Sequence, residues 1–214
     1  DRTLKMSPFP RELAPAITPA GDFNADGYDD LVVRAATEDP SAGRCASSPG
    51  YVYVYFGSRD ASSVSDPDLI LSGDPPDDIG SSIFGGRDVN GDGYPDIVAG
   101  APGVNGYGRV YVFFGGHGAD AVPDAILNGD VYLGFFGRTV SAVDVNGDGV
   151  SDVVVGAPGI PTTDPTTWHG HVYAYDLSDP LRARAFVRGE HRTIPLAQAP
   201  AQVCVRLALI RQKL

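Results

Sequence analysis

A nine-residue loop sequence that occurs three times is the feature that most restricts what this chain can fold into. The copies cover residues 22–30 (DFNADGYDD), 88–96 (DVNGDGYPD) and 144–152 (DVNGDGVSD). Each copy has an acidic or amide side chain at positions one, three, five and nine, and a glycine at position six. Oxygen atoms at alternate positions can converge on one point, and glycine allows the sharp turn that a Cβ would obstruct. The pattern predicts a repeat array with three loops that each bind a hard cation.

Short apolar segments recur in the same order around the three loops. An apolar run follows each loop directly, an aromatic run comes next, and a third apolar run closes the repeat. Together with a segment ahead of the loop, they predict four short strands per repeat, with the loop between the first and the second. Four-stranded units at this spacing are the blades of a β-propeller. The sequence therefore predicts an all-β fold with three four-stranded blades, either a partial propeller or a fragment of a larger one. We expect the strand directly after each loop to lie towards the hub, packed on both faces.

The repeat divides the chain into five segments. We predict an irregular N-terminal lead-in, a degenerate first blade, two further blades, and a basic C-terminal tail or partial further blade, at residues 1–16, 17–74, 75–130, 131–189 and 190–214. Residues 203–210 fit both a strand period and a helix period, so periodicity leaves their structure open. Propellers have ~4–8 blades. Three blades therefore predict that the chain belongs to a longer protein, holds a degenerate blade in its ends, or completes a ring by oligomerisation.

The charge and hydropathy of the chain narrow the classes of partner. The net charge is −11 and the sequence pI is about 4.6, which argues against nucleic acid as a partner. No apolar run approaches the ~18 residues of a membrane-spanning helix, so we expect no membrane insertion. The chain begins at Asp1 without a methionine or signal peptide, which indicates processing or excision from a longer protein. Cys45 and Cys204 are either bridged or unpaired, and the sequence leaves this open.

Two further motifs flank the loops. In the third repeat Phe136-Gly137 precedes the loop and Gly156-Ala157-Pro158 follows it, and in the second Gly100-Ala101-Pro102 follows it. The phenylalanine–glycine equivalent in the second repeat is either Ile79-Gly80 or Phe84-Gly85. By these motifs, their order and their spacing, residues 17–189 resemble the FG-GAP repeats of the integrin α-subunit N-terminal β-propeller and of many secreted bacterial proteins.

The resemblance implies three calcium sites. The first repeat departs from the family pattern, since Arg34-Ala35-Ala36 stands at the glycine-alanine-proline position, but its loop is complete. In the family, side chains at positions one, three, five and nine and the backbone carbonyl at position seven bind Ca²⁺. The implied ligands are Asp22, Asn24, Asp26, Tyr28 and Asp30; Asp88, Asn90, Asp92, Tyr94 and Asp96; and Asp144, Asn146, Asp148, Val150 and Asp152.

Other readings of the loop fit less well. An EF-hand requires an acidic residue at position twelve and a following helix, as does a dockerin module. Position twelve here is Val33, Ala99 or Val155, each within an apolar run. The remaining alternative is an Asp/Asn/Gly-rich hairpin turn without metal.

Three functions are compatible with these features. The first is a calcium-binding, non-catalytic module for extracellular ligand binding or cell adhesion, secreted or at the cell surface, whose protein or glycan ligand is held on the face away from the metal loops. The second is an accessory propeller domain of a secreted hydrolase, since FG-GAP repeats accompany enzymes such as glycosylphosphatidylinositol phospholipase D. The third is a self-assembling structural fragment. The spacing of the loop carboxylates is accounted for by metal, so we predict no catalytic residues.

Overall fold

The computed structural model describes residues 12–37, 50–59, 66–74, 78–159, 170–178, 184–187, 193–194 and 203–205. These residues form fourteen β-strands and one 3-10 turn, Val104–Gly106, arranged in three antiparallel sheets. Within this described part, no helix is long and apolar enough to cross a membrane. Cys45 lies outside the described residues, so the question of a Cys45–Cys204 bridge stays where the sequence left it.

Each sheet is a meander in which consecutive strands pair as neighbours. Blade 1 consists of β1 (Glu12–Gly21), β2 (Asp30–Thr37), β3 (Tyr51–Tyr55) and β4 (Leu69–Leu71). Blade 2 consists of β5 (Ser82–Arg87), β6 (Asp96–Ala101), β7 (Arg109–Phe113) and β8 (Ala125–Asn128). Blade 3 consists of β9 (Thr139–Val143), β10 (Asp152–Ala157), β11 (His171–Asp176), β12 (Arg184–Val187) and β13 (Thr193–Ile194). The predicted all-β class and the position of each loop between the first and second strands are confirmed.

The two ends of the chain contain strands that periodicity did not predict or left open. β1 begins at Glu12, inside the segment 1–16 that we expected to be irregular. In the segment 190–214, β13 pairs with β12, and β14 (Val203–Val205) pairs antiparallel with β8. Both strands extend the outer edges of existing sheets, where unpaired backbone groups are available to a further strand.

The first strand of each blade lies nearest the hub. We expected the second strand there, and that expectation is wrong. β1 contacts β5 across one blade boundary, and β5 contacts β9 across the next. β6 has an unbroken apolar run for a different reason. It is flanked by β5 and β7 within its sheet and covered by a blade on each face, so all its residues are buried.

Blade 2 shares one apolar core with each of its neighbours. Successive side chains of β7 alternate between the two: Val110 and Val112 pack against blade 3, while Tyr111 and Phe113 pack against blade 1. This alternation follows from the two-residue side-chain period of a strand. To the core between blades 1 and 2, blade 1 contributes Val32, Val52, Val54 and Leu71. To the core between blades 2 and 3, blade 3 contributes Val153, Val155, Tyr173 and Tyr175.

The two family motifs meet at the boundary between blades 2 and 3. A Cβ on Gly100, the glycine of the glycine-alanine-proline motif, would lie 2.0 Å from the carbonyl oxygen of Gly137 in the next blade. Gly137 itself has a φ of +87°, which disfavours other residues. The blades therefore contact through backbone at a point where no side chain fits.

The first repeat builds this boundary differently. Arg34 stands where Gly100 stands in blade 2, and its guanidinium forms a salt bridge with Asp78 at 3.3 Å across the boundary between blades 1 and 2. Gly80 lies against this arginine, since its Cβ would lie 3.3 Å from Arg34 Cγ. The missing motif of the first repeat is thus replaced by an ion pair between blades.

We predict that Gly100→Ala destabilises the protein by about 1–3 kcal/mol, because the added methyl group must push the blades apart. Gly103→Ala is the matched control, since Gly103 has an ordinary φ of −83° and no atom within 4 Å of its Cβ position. Urea unfolding measures both variants. Equal stabilities for the two would contradict this account of the blade boundary.

Candidate metal centres

The aspartate at position nine of each loop is buried at the start of the second strand. Asp30, Asp96 and Asp152 are 3%, 1% and 2% exposed and are the first residues of β2, β6 and β10. These are the buried charged side chains of the described core. A buried carboxylate requires hydrogen-bond donors or a cation beside it.

Backbone N–H groups supply those donors. Asp96 Oδ2 accepts the N–H of Val89 at 2.6 Å, and Asp96 Oδ1 accepts the N–H of Gly115 at 2.9 Å. Asp30 accepts from Phe23 at 2.9 Å and from Gly57 at 2.8 Å in the same way. In both blades, one carboxylate is therefore bonded to the beginning of the loop and to the segment that follows the third strand in sequence.

Burial sets the ionisation of these carboxyls. Loss of solvation raises the pKa of Asp96 to about 7; the N–H groups of Val89 and Gly115 oppose the shift, and the negative charges of Asp92 and Asp88 add to it. Burial likewise raises the pKa of Asp30 and of Asp152. A cation in the loop would favour the ionised form of each of these groups.

The aspartate at position one accepts a backbone hydrogen bond from the turn of the loop. The N–H of the position-six glycine donates to its Oδ2 in all three copies: Gly27 to Asp22 at 3.0 Å, Gly93 to Asp88 at 2.8 Å, and Gly149 to Asp144 at 2.9 Å. These glycines have φ values of +93°, +91° and +93°, so the sixth position requires glycine for its backbone conformation. Hydrogen bonds, first that from the Gly149 N–H, lower the pKa of Asp144.

Positions three and five are in direct contact. The Asn Nδ2 donates to the Asp Oδ2 at 2.9 Å in the pairs Asn24–Asp26 and Asn90–Asp92, and at 2.8 Å in Asn146–Asp148. The other oxygen of each position-five aspartate accepts the N–H of position seven at 2.9 Å, from Tyr28, Tyr94 and Val150. All the residues named from the sequence therefore lie within one hydrogen-bonded loop in each blade.

The loops as described hold their carboxylates on backbone N–H groups rather than around a common point. Among the described residues, no three His, Cys, Asp or Glu side chains are grouped as they would be around a metal ion. The donor set nevertheless suits Ca²⁺, since each loop offers three carboxylates, an amide oxygen and backbone carbonyls. It does not suit Zn²⁺, because the loops contain no His or Cys.

Two features of the loops were missed from the sequence. The first is the anchoring N–H of Gly57 and Gly115, for which the repeated Phe-Gly pair directly after β3 and β7 is the available signal. The second is position four, which has positive φ in every copy: +62° at Ala25, +82° at Gly91 and +80° at Gly147. The first loop therefore carries an alanine in a conformation that favours glycine.

Comparison with known proteins agrees with the motifs. The FG-GAP repeat family model matches residues 14–55, 79–113 and 136–165. The chain belongs to the FG-GAP repeat family. It is 33% identical to chicken integrin alpha-6 over 64% of this chain, and 37% identical to Xenopus laevis integrin alpha-5 over 67%. It is also 36% identical to human phosphatidylinositol-glycan-specific phospholipase D over 72% of this chain. The chain spans only 12%, 14% and 19% of these relatives' lengths.

The FG-GAP match and the geometry together identify the phenylalanine–glycine equivalent of the second repeat. The matched segment begins at Ile79, and Gly80 has a φ of +89°, close to the +87° of Gly137. Ile79 is fully buried, as Phe136 is. Of the two candidates, Ile79-Gly80 is therefore the equivalent, and Phe84-Gly85 lies within β5.

We predict that Asp96→Asn destabilises the protein by about 1–3 kcal/mol even in excess EGTA, because the new amide group turns a donor towards one of two backbone N–H groups. Asp92→Asn is the matched control: Asp92 also accepts two hydrogen bonds, but it is exposed, so water can replace them and the loss of stability should be smaller than for Asp96→Asn. Urea unfolding in EGTA measures both. A loss of stability that appears only when calcium is present would contradict a structural role for the position-nine carboxylate.

Proposed function

We propose that this chain forms a calcium-binding, non-catalytic FG-GAP module of an extracellular or cell-surface protein, and that it binds a protein ligand. The observation that carries the proposal is the loop itself. Three copies share the same carboxylate, amide and glycine positions and the same hydrogen-bond pattern, at the same place in three blades. Repetition at this level of detail is expected of a binding loop and is not required of a simple hairpin turn.

Calcium would act first on stability. It would be held by the fifteen loop residues named from the sequence, and it would supply positive charge to loops in which three or four carboxylates lie within nine residues. The cation would stabilise the ionised position-nine carboxylate most, because that carboxylate is the buried one. Calcium sites of extracellular modules bind with dissociation constants of about 10⁻⁴–10⁻³ M, and we expect values in this range for these loops.

We predict that calcium at about one hundred times its dissociation constant stabilises the protein by about 2.7 kcal/mol for each independent site. Differential scanning fluorimetry should show a higher melting temperature in calcium than in excess EGTA. Magnesium at the same concentration controls for ionic strength, and we expect it to give a smaller rise because it requires a tighter octahedral site. An unchanged melting temperature on calcium addition would refute the proposal.

The absence of catalysis is supported by what the loop carboxylates already do. Their oxygens accept backbone N–H groups within the blades, and the proposed cation accounts for their spacing. One relative, the human phospholipase D, is an enzyme by name, and this chain matches 19% of its length. The second candidate function is therefore an accessory region of a secreted hydrolase, with the reaction carried by another part of the protein.

A surface for the ligand lies at the end of the sheets opposite the calcium loops. Because the strands are antiparallel, the β6–β7 and β8–β9 connections both lie at this end, and they are joined by the Leu133 N–H to Gly106 carbonyl bond at 2.5 Å. Four exposed apolar side chains are presented there, which we call the aromatic patch: Tyr107, Val131, Tyr132 and Leu133.

The aromatic patch favours a protein ligand over a glycan. Tyr107 and Tyr132 meet edge to face with ring centroids 5.4 Å apart, and Tyr132 is 63% exposed. Leu133 has a φ of +58°, a conformation unfavourable for leucine that is found most often at functional sites. Beside them lies a cavity of about 220 Å³ with Arg109 and Asn128 in its lining. Tyrosines among aliphatic side chains, with an arginine nearby, are typical of the centre of a protein interface.

We predict that Tyr132→Ala lowers affinity for a protein ligand by at least about tenfold, as expected for a tyrosine at an interface centre. The ligand would be sought on arrays of extracellular proteins and of glycans, in calcium. Val145→Ala is the matched control, because Val145 is an exposed side chain on the calcium loop of blade 3. Binding to glycans alone, or protein binding that survives Tyr132→Ala, would contradict the proposed surface.

A further inference from the structure

The calcium loops of blades 2 and 3 touch each other. The Ser151 N–H of the loop 144–152 donates to the Asp88 carbonyl oxygen of the loop 88–96 at 3.0 Å, across the blade boundary. A second contact lies beside it, since a Cβ on Gly91 would lie 3.3 Å from Val150 Cγ2. Both contacts join residues of one implied calcium site to residues of the next.

The residues in these contacts adjoin calcium ligands on both sides. Asp88 is position one of its loop, and Ser151 lies between Val150 at position seven and Asp152 at position nine. The Gly91 N–H also donates to Asp88 Oδ1 at 2.6 Å. The backbone of the blade 3 loop therefore rests on the segment that orients the first ligand of the blade 2 loop.

The boundary between blades 1 and 2 lacks the equivalent hydrogen bond. Position eight of the loop 88–96 is Pro95, which has no N–H to donate. Pro95 instead packs on Gly21, whose Cβ would lie 2.9 Å from Pro95 Cγ. The loop 22–30 is tied to blade 2 elsewhere, by the Gly116 N–H donating to the Phe23 carbonyl at 2.7 Å, and Gly116 lies outside the calcium loops.

We propose that the Ser151 N–H is a positioning group for the neighbouring calcium site, and that it couples the sites of blades 2 and 3. Calcium in the loop 144–152 fixes the backbone on both sides of Ser151, and this fixes Asp88 before calcium arrives in blade 2. The first ion bears the entropic cost of ordering this backbone. The second ion does not bear that cost again, so it binds more tightly. Coupling of this kind is reciprocal. The site of blade 1 lacks this hydrogen bond, so we expect its coupling to blade 2 to be weaker. This inference rests on the proposed calcium binding.

The test measures the affinity of the blade 2 site while the blade 3 site is changed. Terbium replaces calcium, and its emission is excited through tyrosine. Tyr94 is position seven of the blade 2 loop and Val150 that of the blade 3 loop, so a Tyr28→Phe background leaves Tyr94 as the loop tyrosine. Loss of the signal with Tyr94→Phe verifies this assignment. Calorimetry with calcium on the same proteins gives an independent reading.

We predict that Asp144→Asn, which disables the blade 3 site, weakens terbium binding in blade 2 by about fivefold, the lower range of measured couplings. Ser151→Pro should weaken it equally with the blade 3 site intact, and adding Asp144→Asn should then have no further effect. The proline copies Pro95 at the same position of the previous loop, so the loop backbone accommodates it. Ser151→Ala keeps the N–H and is the matched control. Asp22→Asn, which disables the blade 1 site, should weaken terbium binding in blade 2 less than Asp144→Asn does.

The outcomes separate this inference from the proposed function. If terbium and calcium do not bind, the proposed function fails and the coupling fails with it. If they bind but Asp144→Asn acts no more strongly on blade 2 than Asp22→Asn does, the proposed function stands and the coupling is overturned. The reverse measurement provides a second test if one of the blade 3 variants folds poorly. Asp92→Asn in blade 2 should weaken calcium binding in blade 3 by the same factor. Unchanged calcium binding in blade 3 would also overturn the coupling.

Discussion

The buried carboxylate at position nine of each loop is the interaction on which most of the described structure depends. In blades 1 and 2 it accepts backbone N–H groups from the start of its loop and from the segment behind the third strand, while its own backbone opens the second strand. One side chain therefore joins three parts of a blade. Because the group is both buried and acidic, a cation in the loop would act at the point where the blade is held together. Folding and ion binding are for this reason expected to be closely linked.

The second requirement is close approach between blades. A propeller blade has two apolar faces, and blade 2 buries one against each neighbour. The boundary between blades 2 and 3 is a backbone contact between Gly100 and Gly137, whereas the boundary between blades 1 and 2 uses the Arg34–Asp78 ion pair. The same position in the repeat thus tolerates either no side chain or a long one that reaches a partner. What it excludes is a side chain that fills the gap without a partner of its own.

The antiparallel strands place the acidic loops and the aromatic patch at opposite ends of the sheets. The charged loops lie at one end of the sheets, where neighbouring loops contact each other, and the aromatic patch lies at the other. The loops are held by many short hydrogen bonds, while the patch is presented by two connections with positive-φ residues such as Leu133 and Asn105. The two ends can therefore vary separately in sequence although they share the same sheets.

The sequence by itself determined the repeat, the class of fold, the four strands of each blade and the identity of the loop residues, because these follow from local spacing and side-chain period. It did not determine which strand lies at the hub, since the unbroken apolar run of β6 reflects burial within a sheet between two blades rather than a central position. It left Ile79-Gly80 and Phe84-Gly85 as equals, and the backbone conformation of Gly80 and the burial of Ile79 distinguish them. The strand at Val203 fits a strand period and a helix period equally well, and only its pairing with the edge strand β8 decides between them. The contact between Ser151 and Asp88 was equally invisible, since it joins backbone groups far apart in the chain that only the stacking of blades brings together.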